Sequence, residues 1–186
     1  RITKLSRIRI LVVGDAVPPG GYLVNPGATP LDALLKAGGP SLSGSFRNIS
    51  VKRSNGMVIG VDLYDLLLNG QASSLRLKPG DRVLVPLVGP QVTVMGEVRR
   101  PAIYEIQGKA NLQGILRLAG GVSPQAYSPT ARIERVASNT NRIQVDVSLK
   151  DTVPVLPGDT VVVESVLEQL QNGVYLDGAV RRPGWY

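Results

Sequence analysis

Residues 91–98 (Gln91, Val92, Thr93, Val94, Met95, Gly96, Glu97, Val98) are rich in β-branched side chains and predict a strand. Arg99, Arg100, Pro101 and Ala102 follow. Proline presets a turn and cannot donate to a ladder, so the strand ends there. Ile103, Tyr104, Glu105 and Ile106 alternate and return as a second strand. Beyond Asn111, a good N-cap, Leu112, Ile115, Leu116 and Ala119 form an i, i+3, i+4, i+7 stripe that predicts a two-turn helix. Gly120 and Gly121 stop it where a left-handed residue is wanted. Residues 132–136 alternate, 138–141 turn, and 143–147 alternate back. After the turn signal Leu156-Pro157-Gly158-Asp159, the run Thr160-Val161-Val162-Val163 is too continuously apolar for an edge strand and fits a central one.

The first half of the chain carries the same pattern. Thr29 is placed to cap a helix, Pro30 suits its first position, and Asp32 lies in its first turn against the positive helix end. Gly38 and Gly39 end it. The match is literal in places. Gly14, Pro19 and Tyr22 return as Gly96, Pro101 and Tyr104, and again as Gly178, Pro183 and Tyr186, at a step of 82 residues. Residues 31–39 answer to 112–121 with one residue inserted, Ile49 to Ile133, Val61 to Val145, and Pro79-Gly80-Asp81 to Pro157-Gly158-Asp159. A period this long signals tandem small domains, since solenoid units repeat at roughly 20–50 residues.

The order hairpin, helix, hairpin, final strand predicts an α+β fold. One helix laid across a small mixed sheet buries both apolar faces, a β-grasp arrangement with the last strand beside the first. The expected organisation is an N-terminal flank at 1–7, a first module at 8–90, a second at 91–165, a linker at 166–173, and the first hairpin of a third module at 174–186. Residues 62–70 predict an extra short helix in the first module, and 166–173 a short helical or irregular connection. The chain opens at Arg1 and breaks off inside a repeat, as expected for a piece of a longer protein.

Composition narrows the chemistry. The absence of cysteine excludes disulfides and thiol nucleophiles, and the absence of histidine removes the commonest general base and metal ligand. No apolar run approaches the ~20 residues of a membrane helix. The net charge of +7, from 21 Lys and Arg against 14 Asp and Glu, favours an anionic partner. Nucleic acid is one such partner, but one Phe and one Trp supply few stacking rings. Asp62 and Asp65 are three apart on the short helix, and a glycosidase pair needs a cleft that raises one pKa. No phosphate loop, dinucleotide fingerprint or serine elbow is present.

A strand with Gly-x-Val, then Pro and Tyr, then a helix ending in Ala-Gly-Gly, then Leu-x-Pro-Gly-Asp-x-Val-x-Val resembles the SLBB (soluble-ligand-binding β-grasp) domain. Gly14, Pro19, Tyr22, Ala37, Gly38, Gly39, Pro79, Gly80, Asp81 and Pro86 carry it in the first copy. Gly96, Pro101, Tyr104, Ala119, Gly120, Gly121, Pro157, Gly158 and Asp159 carry it in the second. Ala102 departs from the usual glycine, which Gly184 restores. In tandem the modules resemble those of outer-membrane polysaccharide export proteins of the Wza-like family. The resemblance implies a non-enzymatic periplasmic segment without cofactor or metal. It further implies a ring-shaped homo-oligomer that passes capsular polysaccharide or exopolysaccharide and docks to an inner-membrane polysaccharide copolymerase. Other soluble-ligand binding, and a β-grasp subunit of a redox complex, are the alternatives.

Arg99 with Arg100, and Arg181 with Arg182, sit at the same hairpin tip of consecutive copies and are the candidate binding or interface residues, since arginine forks suit carboxylate and phosphate. Val17 and Pro18 hold that tip in the first copy, so folding does not require the pair. Tyr104, with Tyr22 and Tyr186, is placed either to stack on a sugar or to pack on the sheet with its hydroxyl in water. Asp81 and Asp159 are expected to bond backbone N–H groups inside their turns.

Overall fold

Strand β1 (Ile8–Gly14) turns back as β2 (Gly20–Val24), helix α1 (Pro30–Lys36) crosses over, and β3 (Ile49–Lys52) and β4 (Val58–Val61) form a second hairpin. Helix α2 (Leu63–Asn69) and strand β5 (Arg82–Val85) complete this half. The computed structural model describes residues 6–71, 74–127, 130–137, 141–166 and 174–185. The five strands lie in the order β2-β1-β5-β3-β4, with β5 parallel to β1 and antiparallel to β3. The last strand is therefore central, and Val83 and Val85 point from it into the core. Helix α1 covers that face, burying Ala33 and Leu34 with Ile10, Val12, Ile49 and Val51. Each fully buried aliphatic side chain contributes roughly 1.5–3 kcal/mol.

The second half repeats the architecture. It runs through β6 (Gln91–Gly96), β7 (Ala102–Glu105), β8 (Ala110–Asn111), α3 (Leu112–Leu118), β9 (Thr130–Ala137), β10 (Asn141–Ser148), β11 (Pro154–Val155) and β12 (Thr160–Val163). Its sheet order, β10-β9-β12-β6-β7, is that of the first half, with its own core around Val94, Leu112, Ile115, Ile133 and Val161. The α+β reading with tandem modules holds. Strands β13 (Tyr175–Leu176) and β14 (Gly184–Trp185) then form a third hairpin.

Register shows how faithful the repeat is. Val12 faces Gly20, Val94 faces Ala102, and Leu176 faces Gly184, each trio advancing by 82. The same step carries helix α1 onto α3 without an insertion: caps Thr29 and Asn111 correspond, as do Ala37 and Ala119. The inserted residue expected from sequence is therefore absent, and Pro30, not Leu31, takes the place of Leu112. The third strand also stays in step. Val51 faces Val83 as Ile133 faces Val161, so Ile49 corresponds to Ala131, two residues from the sequence match. Across the second hairpin Ile49 faces Val61 and Ala131 faces Val147, which moves that match by two as well. Alternating strands look alike after a two-residue slip, because the same face stays buried.

Local chemistry sets the boundaries. Thr29 and Asp32 form a capping box: the Asp32 N–H donates to Thr29 Oγ1 at 3.2 Å, and the Thr29 N–H donates to Asp32 Oδ2 at 2.7 Å. Asp62 caps α2, the extra helix of the first half, through the Tyr64 N–H at 2.8 Å. The glycine pairs after α1 and α3 have φ of 80° and 88°, and 80° and 87°. Asp81 and Asp159 are buried and accept the Lys78 and Leu156 N–H groups, each at 2.8 Å, as expected. The proposed linker from residue 167 to 173, the turn residues 138–140 and Tyr186 lie outside the described residues.

Candidate functional site

The tip of the opening hairpin in each five-stranded module is zipped to the stop of the following helix. The Arg99 N–H donates to the Gly121 carbonyl at 3.0 Å and the Arg100 N–H to the Ala119 carbonyl at 2.9 Å. In the first copy the Val17 N–H donates to the Gly39 carbonyl at 3.1 Å. This close approach is why glycine ends the helix: a Cβ on Gly38 would stand 2.1 Å from the Val17 carbonyl oxygen. Arg99 and Arg100 are exposed, and the Arg100 guanidinium reaches back to the Leu118 carbonyl at 3.3 Å. Arg181 and Arg182 are exposed beside Leu176 and Val180 in a shallow depression of the third hairpin.

Tyr104 does not present its ring. It is buried against the second core, and its hydroxyl donates to the Arg100 carbonyl at 2.6 Å. Tyr22 repeats this contact with the Pro18 carbonyl at 2.6 Å. The hydroxyl expected in water is thus a strut under the tip. Burial pushes the Tyr104 pKa up, partly opposed by the Arg100 charge. Asp62 is committed to Arg47 at 3.1 Å and to capping α2, and Asp65 is exposed on that helix.

The structure adds a site that the sequence did not point out, at the contact between the two modules. Glu105, in the edge strand β7, is 2% exposed, although its counterpart Leu23 is 49% exposed. Its carboxylate enters the loop after α1. Oε1 accepts the Ser45 hydroxyl at 2.8 Å, the Gly89 N–H at 2.8 Å and the Asn48 amide at 3.1 Å. Oε2 accepts the same hydroxyl at 3.0 Å and the Phe46 N–H at 3.2 Å. A buried carboxylate so supplied with donors avoids the cost of an unpaired charge. Around it, Arg47 donates to the Glu105 carbonyl at 3.1 Å and stacks 4.8 Å from the Tyr64 ring centre. The Glu105 N–H donates to the Tyr64 hydroxyl at 3.0 Å. Burial raises the Tyr64 pKa, against that N–H. A single signal in the sequence marks this junction: the change from Leu23 to Glu105 at equivalent repeat positions.

Among the described residues no group of His, Cys, Asp or Glu is placed to hold a metal ion, and no helix is long and apolar enough to cross a membrane. The arrangement offers an exposed arginine pair on the braced tip of the second module and a hydrogen-bonded seam where β7 meets the loop after α1.

Comparison with known proteins agrees with this architecture. The SLBB domain matches the chain twice, over residues 9–62 and 91–146, more than half of its length. The polysialic acid transport protein KpsD of Escherichia coli is 35% identical over 107 residues, covering 57% of this chain and 19% of that protein. The chain thus spans about a fifth of the length of the curated relative it matches.

Proposed function

The chain belongs to the SLBB domain family, and on that premise we propose that it is a non-enzymatic segment of a polysaccharide export protein. In this reading it works in the periplasm as part of an outer-membrane-associated assembly. Its modules, with limits at 8–90 and 91–165 and a linker at 166–173, stack into the wall of a homo-oligomeric ring. The ring passes capsular polysaccharide or exopolysaccharide and docks to an inner-membrane polysaccharide copolymerase. The observation that carries the reading is the hairpin repeated in constant register, with an arginine pair at the same tip of the second and third copies. Similarity to a protein named for polysialic acid transport supports the polymer as cargo.

Arg99, Arg100, Arg181 and Arg182 are the contact residues, meeting carboxylates of the polymer or of a neighbouring subunit. Tyr104 is a positioning residue that holds the tip through the Arg100 carbonyl. The experiment is export in cells carrying Arg99→Ser, Arg100→Ser, Arg181→Ser and Arg182→Ser in the full-length protein. Reduced surface polysaccharide or failed ring assembly, with the melting temperature nearly unchanged, is the expected result. Undiminished export and assembly would refute the role.

A further inference from the structure

Each module has a groove beside the start of its helix, and the two grooves differ in charge. In the first, Asp32 lies in the lining with Arg7 and Lys36, and Lys36 is tied to the Leu23 carbonyl. In the second, a groove of about 280 Å³ runs between Arg47 and residues 106–118, and it has no Asp or Glu in its lining. The constant step of 82 shows how this arose. Gly27 corresponds to Lys109, Asp32 to Gly114, and Leu35 to Arg117. Three differences between the repeats make this groove more positive and one, Lys36 to Leu118, makes it less so; the lining charge is +1 in the first groove (Arg7, Lys36, Asp32) and +3 in the second (Arg47, Lys109, Arg117).

The groove's cations are not spent alike. Arg47 is held by Asp62 and the Glu105 carbonyl. Lys109 and Arg117 are exposed, and no carboxylate pairs with either among the described residues. Ala110 and Leu118, partly buried, supply the apolar lining, over the core residues Ile106 and Ile115. Asn111 gives its side-chain oxygen to the Gly114 N–H at 2.8 Å, which leaves its NH₂ group as a donor. The volume falls just below the roughly 300–1,000 Å³ of drug-sized ligand sites, a fit for one sugar ring. The Glu105 seam fixes Arg47 against the second module, so the groove is preformed.

We propose that this groove binds a carboxylate-bearing sugar unit of an acidic oligosaccharide. Lys109 and Arg117 take the carboxylate, the apolar lining takes the C–H face of the ring, and the Asn111 amide takes a hydroxyl. The proposal rests on the polysaccharide reading above and adds to it a second place, apart from the arginine tips, where one acidic sugar unit is held.

The test titrates isotopically labelled chain with tetragalacturonate, with maltotetraose and acetate as neutral and charge-only controls, and follows backbone amide shifts. Saturable shifts confined to Arg47 and residues 106–118 with tetragalacturonate alone are expected. The double variant Lys109→Ser, Arg117→Ser should weaken them about tenfold or more, the loss of charge-assisted hydrogen bonds worth about 1.4 kcal/mol. Gly114→Asp, which restores the first module's acid, should weaken them likewise, whereas Gly114→Ala, whose Cβ meets the same Asn111 oxygen at 3.2 Å without adding charge, should not. No shift with tetragalacturonate, equal shifts with either control, undiminished binding by the double variant or Gly114→Asp, or equal weakening by Gly114→Ala would overturn the proposal. Export measured with the same variants separates the two readings. Absent groove binding beside export that depends on the tip arginines sinks the groove alone. Export indifferent to the tip arginines sinks the earlier reading whatever the groove does.

Discussion

Leu23 and Glu105 occupy the same place in the same strand of the same fold, yet one is half exposed and the other buried. The sheets around them agree in strand order, register, helix caps and the glycines of the tips. What the fold needs is held constant across the repeat, and what differs marks where the second module touches something the first does not. Glu105 faces the neighbouring module, and Lys109, Gly114 and Arg117 face the open groove beside it.

The sharpest way to break this comparison is Glu105→Ala. It strands the Ser45, Phe46, Asn48 and Gly89 donors and is expected to cost about 1–3 kcal/mol, read from the denaturant midpoint. Leu23→Ala, the equivalent change at an exposed position, should stay within about 1 kcal/mol. Similar losses for both would mean that the seam contributes nothing to stability.

Conserved geometry predicts conserved cost. A Cβ on Gly14 would sit 2.1 Å from the Val85 carbonyl oxygen, and one on Gly96 2.1 Å from that of Val163, both at positive φ. Gly14→Ala and Gly96→Ala should each lose about 1–3 kcal/mol from backbone strain, with the clash in addition. Gly39→Ala and Gly121→Ala meet nothing within 4 Å and should lose only the left-handed penalty of about 1–2 kcal/mol. Thermal melts that rank the four otherwise would contradict the close approach of β1 to β5 and of β6 to β12.

A smaller asymmetry lies in the Pro-Gly-Asp turns. Arg135 donates to Asp159 at 2.9 and 2.7 Å, whereas Arg53 stands 3.9 Å from Asp81, and Asp81 Oδ1 has no hydrogen-bond partner. That fork is the cause of the raised Arg135 pKa. Asp159→Asn should therefore destabilise by about 1–3 kcal/mol more than Asp81→Asn. Equal midpoints for the two variants would remove the distinction.

The smallest effect is alkaline. Tyr64 has a folded pKa raised above its ordinary value by burial, so its contribution is whole below that value and is lost as pH rises through the folded one. Stability of the wild type minus that of Tyr64→Phe should fall above about pH 10. A flat difference across that range would show that the phenol is not buried in the seam.

Much of the fold was legible because its signals are local. The Thr29 cap with Asp32, the Asn111 cap, the glycine stops and the central valine strand each rest on residues a few positions apart. The Arg53 and Arg135 correspondence was hidden, since strand alternation tolerates a two-residue slip and Ile49 pairs with Ile133 by residue type alone. The seam was illegible for a different reason. Residues 103–106 show which face of β7 is polar, but not that the loop bearing Ser45 and Asn48, some sixty residues earlier, covers it. The tyrosine hydroxyls were missed similarly, because a carbonyl four residues upstream becomes their acceptor only when the tip folds back.

Two copies of one helix-on-sheet unit meet as a single body at Glu105. Residual dipolar couplings from the amides of both five-stranded sheets measure this most directly. One alignment tensor should fit β1–β5 together with β6, β7, β9, β10 and β12 in the wild type, and should split in Glu105→Ala. Two different tensors in the unaltered chain would contradict it.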